Sequence, residues 1–145
     1  MKNILKTLQI VLFVLMQISC TSTATQSLGR QATQPLDKSQ VWQLVQVQGR
    51  DIKSSPTPVT LIFNPETSTL HGQAQCNTYT ADYSLHDSRL IISNLQPSNT
   101  QCPEADMNAE NRYLATLRKC TNITVTATTL SLGNKNKSLL EFELQ

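Results

Sequence analysis

The stretch HGQAQCNTYTADYSL, residues 71–85, gathers a histidine, a cysteine, two tyrosines and an aspartate within fifteen positions. If Cys76 attacks a substrate or holds a metal, the chain reads as an enzyme. If it is bonded to another cysteine, the stretch belongs to a scaffold. Residues 78–85 read as a strand, on which Tyr79 and Tyr83 share parity and therefore one face. That face is most simply the core.

A nucleophilic thiolate needs a neighbouring base, and the base needs an orienting group. His71 and His86 are the only histidines. His71 lies at odd spacing from Cys76, so a straight strand sends the two side chains to opposite faces. His86 falls beyond the next strand, at a turn. Zinc chemistry has no better footing, because there is no C-x-x-C or H-x-x-x-H spacing and the cysteines are scattered singles. Among the carboxylates, Asp87 suits a turn, while Glu104 and Asp106 suit the start of a helix. Glu110 lies close to an apolar helical stripe, where a bond to neighbouring backbone or a tyrosine hydroxyl accounts for it. The expectation is therefore no catalytic residue, no metal and no cofactor.

Outward from this stretch, residues 41–47, 59–63, 89–93, 123–127, 129–132 and 139–144 are rich in β-branched, aromatic or alternating apolar side chains. Turn residues separate them, as at Gln48-Gly49, Asn64-Pro65 and 133–136. Residues 103–119 break the pattern. Proline and acids open this segment, Arg and Lys close it, and Met107, Glu110, Leu114 and Leu117 fall at helical spacing with Tyr113 beside them. One amphipathic helix is expected there, its stripe against the sheet. Trp42 is expected to anchor the first strand in the core.

The chain opens on an export signal. Lys2 and Lys6 precede an apolar run, residues 8–16, that is far short of the ~20 residues a spanning helix requires. The sequence Ile18-Ser19-Cys20 resembles the end of a bacterial lipobox, with Gln17 where leucine is usual. The resemblance implies cleavage before Cys20 and lipidation of that cysteine. Several acyl chains, at about 0.8 kcal/mol per buried methylene, suffice for stable attachment. Thr21 in place of aspartate then implies sorting to the outer membrane. The expected divisions are a signal peptide over 1–19, a lipidated Cys20 with a tether over 20–38, and a domain over 39–145. The tether is Ser-, Thr- and Gln-rich, too polar to order itself, and has a typical reach of roughly 20–25 Å.

The net charge of +2 resides in the leader: without Lys2 and Lys6, ten basic and ten acidic side chains remain. No basic patch with interleaved aromatics suggests nucleic acid. The expected partners are the membrane, through the lipid, and an envelope protein or lipid ligand. An envelope location also permits disulfides.

Two blocks of the domain resemble the META domain of the HslJ-like heat-shock lipoproteins. Gly72, Ala74, Cys76, Asn77, Tyr79 and Tyr83 match one block, and Cys102, Pro103, Met107, Glu110, Tyr113, Leu114 and Leu117 match the second. Trp42 and Leu44 fit the opening of the pattern; Leu140 and Phe142 fit its last strand. Gln75, Ala81 and Thr100-Gln101 depart from it, the first two replacing glycines. Those two replacements question any backbone of positive φ at those positions. The implied fold is α+β: an antiparallel, β-rich, partly closed barrel-like sheet with one packed helix.

The resemblance also bears on the cysteines. Cys102 and Cys120 flank the expected helix, about 24 Å apart and beyond disulfide reach. Cys76–Cys102 is the pairing the resemblance implies, since both positions belong to its pattern. Cys76–Cys120 is the remaining alternative. The implied role is non-enzymatic, in envelope maintenance or stress tolerance. The rivals are a lipid- or protein-binding module, pilotin-like with an acyl chain in a cavity under the helix or lysozyme-inhibitor-like, and a ligand role for Asn77, Tyr79 and Tyr83 is the alternative to their structural one.

Overall fold

The computed structural model describes residues 35–52 and 57–145. The leader, Cys20 and the tether as far as residue 34 lie outside the described residues. Leu36 already packs against the core, and Lys38 Nζ lies 2.8 Å from Glu66 Oε1 in an exposed ion pair of little energetic weight.

The strands run β1 (Trp42–Val47), β2 (Arg50–Asp51), β3 (Thr60–Asn64), β4 (Thr69–Gln73), β5 (Thr78–His86) and β6 (Arg89–Pro97). The helix α1 (Glu104–Leu117) follows, then β7 (Asn122–Val125), β8 (Thr129–Asn134) and β9 (Lys137–Leu144). All pairings are antiparallel, in the order β2-β1-β3-β4-β5-β6-β7-β8-β9, and β1 also pairs with β9, so the sheet curls back on itself. The circuit is weakest between β6 and β7, which share the single pair Arg89 and Asn122. Short hairpins suit this order because their loops close cheaply. Gln48 and Gly49, both at positive φ, make the two-residue turn between Val47 and Arg50.

The core lies inside the curl. On β5 buried and exposed residues alternate, and Tyr79, Ala81 and Tyr83 point inward, as the parity of the two tyrosines predicts. Phe63 meets Tyr83 edge-on at 5.0 Å between ring centroids. Trp42 is fully buried, and its indole Nε1 is the one buried side-chain nitrogen or oxygen without a partner among the described residues.

Helix α1 starts after Pro103, with Glu104 and Asp106 in its first turn, where the backbone dipole favours acids. It ends at Leu117, so Arg118 and Lys119 fall just past the last turn instead of inside it. Its buried face is Glu110, Tyr113, Leu114, Thr116 and Leu117. A carboxylate sits in the middle of that face, and burying one there requires partners.

Candidate functional site

Glu110 finds its partners in the turn between β4 and β5. Its Oε2 accepts from the backbone N–H of Cys76 at 3.0 Å and of Asn77 at 2.7 Å, and its Oε1 accepts from Asn77 Nδ2 at 2.8 Å. The turn itself is closed by the Ala74 N–H donating to the Asn77 carbonyl at 2.7 Å. That hairpin leaves the Cys76 and Asn77 amides without strand partners, and the carboxylate takes both.

Asn77 continues the chain of bonds. Its Oδ1 accepts from Ser98 Oγ at 2.8 Å and from the Thr100 N–H at 2.7 Å, while Nδ2 also lies 3.3 Å from the Thr100 carbonyl. Asn77 is therefore bonded between the helix and the segment that leads from β6 into it. It is 2% exposed and Glu110 is 2% exposed, so water contributes little to either. Cys76 and Cys102 form a disulfide with Cα atoms 6.2 Å apart, tying the same turn to the residue before Pro103. The third domain cysteine, Cys120, is a buried free thiol, and burial pushes it up to about 12.

A second buried contact lies deeper. The Tyr79 hydroxyl donates to the Thr60 carbonyl at 2.9 Å and lies 2.6 Å from the Tyr113 hydroxyl, with the rings edge-on at 5.7 Å. Burial raises the ionisation of both phenols above the ordinary tyrosine value. Tyr79 stands opposite Gly72 on β4, and a Cβ at Gly72 would fall 2.0 Å from the Thr60 oxygen and 2.9 Å from the Tyr79 hydroxyl. Only glycine leaves room for that phenol to cross to Thr60.

Most of the sequence-predicted residues thus fall into one connected region. Cys76, Cys102, Asn77, Glu110 and Pro103 surround the turn, and Gly72, Tyr79 and Tyr113 lie beneath it. Tyr83 packs apart from them, against Phe63, and Met107 is half-buried on the helix. His71 and His86 are exposed, and neither joins the cluster. Gln75 and Ala81 adopt no positive φ, so the replaced glycines are not required for the backbone there. Ser98, Thr100 and the Thr60 carbonyl were missed. Ser98 and Thr100 lie in a polar linker with no periodicity, and a carbonyl leaves no mark in a sequence. Among the described residues no group of three or more His, Cys, Asp or Glu side chains is arranged to hold a metal.

The family model for the META domain matches residues 34–145. A solution structure of a protein from Burkholderia xenovorans is similar, with TM-score 0.61 and 21% identity over 79% of this chain and 92% of that one. A second solution structure matches with TM-score 0.56 and 20% identity, over 72% of this chain and 89% of the other. At that identity the likeness is one of fold. A search of curated proteins found no match.

Proposed function

The chain belongs to the META-domain family, and from that premise we propose that it is a non-enzymatic envelope lipoprotein of the HslJ-like kind. It is held at the outer membrane by a lipidated Cys20 and serves envelope maintenance or stress tolerance. The observation that supports a non-catalytic reading is the way the polar cluster is spent. Both oxygens of Glu110 and both side-chain polar atoms of Asn77 are used on neighbouring backbone and side chains. A catalytic acid or base must reach a substrate proton, and here the acceptors point into the turn they hold. Cys76 is bonded to Cys102, which removes the thiolate that nucleophilic chemistry would need. Such a disulfide is at home in an oxidising envelope.

The test is complementation of a deletion strain. The intact chain is expected to incorporate labelled palmitate, to fractionate with the outer membrane and to restore detergent resistance. Cys20→Ser is expected to fold and accumulate while failing at all three. Full restoration of resistance by the unlipidated protein would overturn the anchoring reading. Loss of resistance on a Glu110→Gln change, under conditions where the variant accumulates normally and stays fully folded, would overturn the non-catalytic one.

A further inference from the structure

One surface departs from the slight excess of acids among the described residues. A groove of about 1090 Å³ runs between α1 on one side and β1, β2 and the residues leading into β3 on the other. Its volume is just above the roughly 300–1,000 Å³ usual for ligand sites. Leu44, Val45, Val47, Ile52, Val59 and Tyr113 give it an apolar floor, with Ile52 38% exposed.

The rim is cationic. Arg50, Arg112, Lys119 and Lys137 line the groove, and Asp51 is the only acid among its described lining residues. The described residues contain eight Lys and Arg side chains and ten Asp and Glu, so half the cations and one tenth of the acids gather here. Asp51 accepts from Gln46 Nε2 at 2.7 Å. The four cations are all exposed, and none has an ion-pair partner among the described residues. They are surplus to the fold and raise the local potential for an anion.

Their spacing narrows the chemistry of that anion. Arg112 lies on α1, and Lys119 follows two residues past its end. Arg50 lies on β2 and Lys137 at the start of β9. Charges spread along an open groove suit several separated carboxylates better than one phosphate headgroup, which calls for cations clustered at a single mouth. The floor is aliphatic apart from the buried Tyr113, without the exposed aromatic faces on which bases stack. In addition, among the described residues β2 pairs only with β1, so the outer edge of this two-residue strand is open to an extended backbone.

We propose that this groove binds an extended segment of a partner protein in which acidic residues alternate with aliphatic ones. Acidic side chains meet Arg50, Arg112, Lys119 and Lys137, and aliphatic ones descend onto Val45, Val47 and Ile52. This goes beyond the non-catalytic reading by naming a partner, and its test reads binding by the purified chain, which a failure of anchoring leaves untouched.

The probe is a fluorescein-labelled ten-residue peptide of alternating glutamate and valine, measured by anisotropy against the purified full chain in neutral detergent. Three comparisons run beside it: the same peptide with lysine for glutamate, oligoglutamate, and phosphatidylglycerol vesicles. The glutamate–valine peptide is expected to saturate, more weakly as salt rises. The paired change Arg112→Glu with Lys119→Glu is expected to weaken it about tenfold or more. Arg50→Glu with Lys137→Glu should do the same from the strands. All four positions are exposed, and an unchanged unfolding midpoint separates lost binding from lost folding. The proposal is overturned if the lysine peptide binds equally, if both paired variants bind as the wild type does, or if the glutamate–valine peptide fails to bind at about 1 mM. Preferential capture of the vesicles, or tighter binding of oligoglutamate, overturns it as well.

Discussion

Replacing Glu110 by alanine isolates the energetic role of the buried cluster. The change strips three donors of their acceptor: the amides of Cys76 and Asn77, and Asn77 Nδ2. A buried donor left unsatisfied costs about 1–3 kcal/mol. The Asn77 amide, on a residue 2% exposed, stands to lose most of that range. The Cys76 amide is only part-buried, so water recovers a portion, and Asn77 Nδ2 keeps the Thr100 carbonyl at 3.3 Å. Together these give a loss of about 3–4 kcal/mol, a large share of the 5–15 kcal/mol usual for a domain.

Glutamine is expected to cost less, about 1–2 kcal/mol. Its oxygen can serve the two amides, but its NH2 then faces Asn77 Nδ2, donor against donor. Turning Asn77 over would remove that conflict at the expense of the bonds from Ser98 and Thr100. The assay is urea unfolding of the oxidised protein followed by Trp42, the only tryptophan and fully buried. Midpoints are compared at constant slope. A loss below about 1 kcal/mol for Glu110→Ala would refute the reasoning, since it would mean that the orphaned amides are solvated or repaired without cost.

Three further outcomes are expected. Gly72→Ala should cost about 3 kcal/mol or more, read as a fall in the urea midpoint, because its Cβ would lie 2.0 Å from the Thr60 oxygen; a midpoint near wild type would contradict the close approach. Peptide mapping without reductant should recover Cys76 linked to Cys102 and Cys120 alkylated only after denaturation; reducing the bond should cost up to about 3.5 kcal/mol for its sequence separation of 26. Finally, because Tyr79 and Tyr113 ionise above the usual tyrosine value when folded, their contribution is intact below about pH 10 and drains away above it as the unfolded phenols ionise first. Stability measured from pH 8 to 11 should fall at the alkaline end, and Tyr79→Phe should flatten that fall while lowering stability at neutral pH; a flat wild-type profile would count against it.

Several of these elements can be read without coordinates, and the ones that cannot share a cause. The helix was legible because a repeat of Met107, Glu110, Leu114 and Leu117 is local, and local periodicity follows from backbone geometry alone. Strands β5 and β9 were legible for the same reason. β4 was not assigned from the sequence: Thr69, His71, Gly72 and Gln73 around a single buried leucine, Leu70, lack the apolar alternation of a strand. What makes β4 a strand is its ladders to β3 and β5, which come from distant segments. β2, two exposed residues, exists only as the partner of the end of β1.

The sequence by itself determined that one helix lies among strands, that Tyr79 and Tyr83 share a face, and that Cys102 and Cys120 cannot pair across a helix. These are consequences of residue spacing along the chain. The tertiary structure alone decided that Glu110 reaches a turn more than thirty residues away, that Gly72 makes room for a phenol from the next strand, and that four scattered cations share one groove. Each depends on which segments the curled sheet brings together, a choice made by long-range burial and pairing that no local pattern encodes. The glycine missing at Gln75 illustrates the division: the sequence marks it as a departure, and the backbone, at ordinary φ, accommodates it.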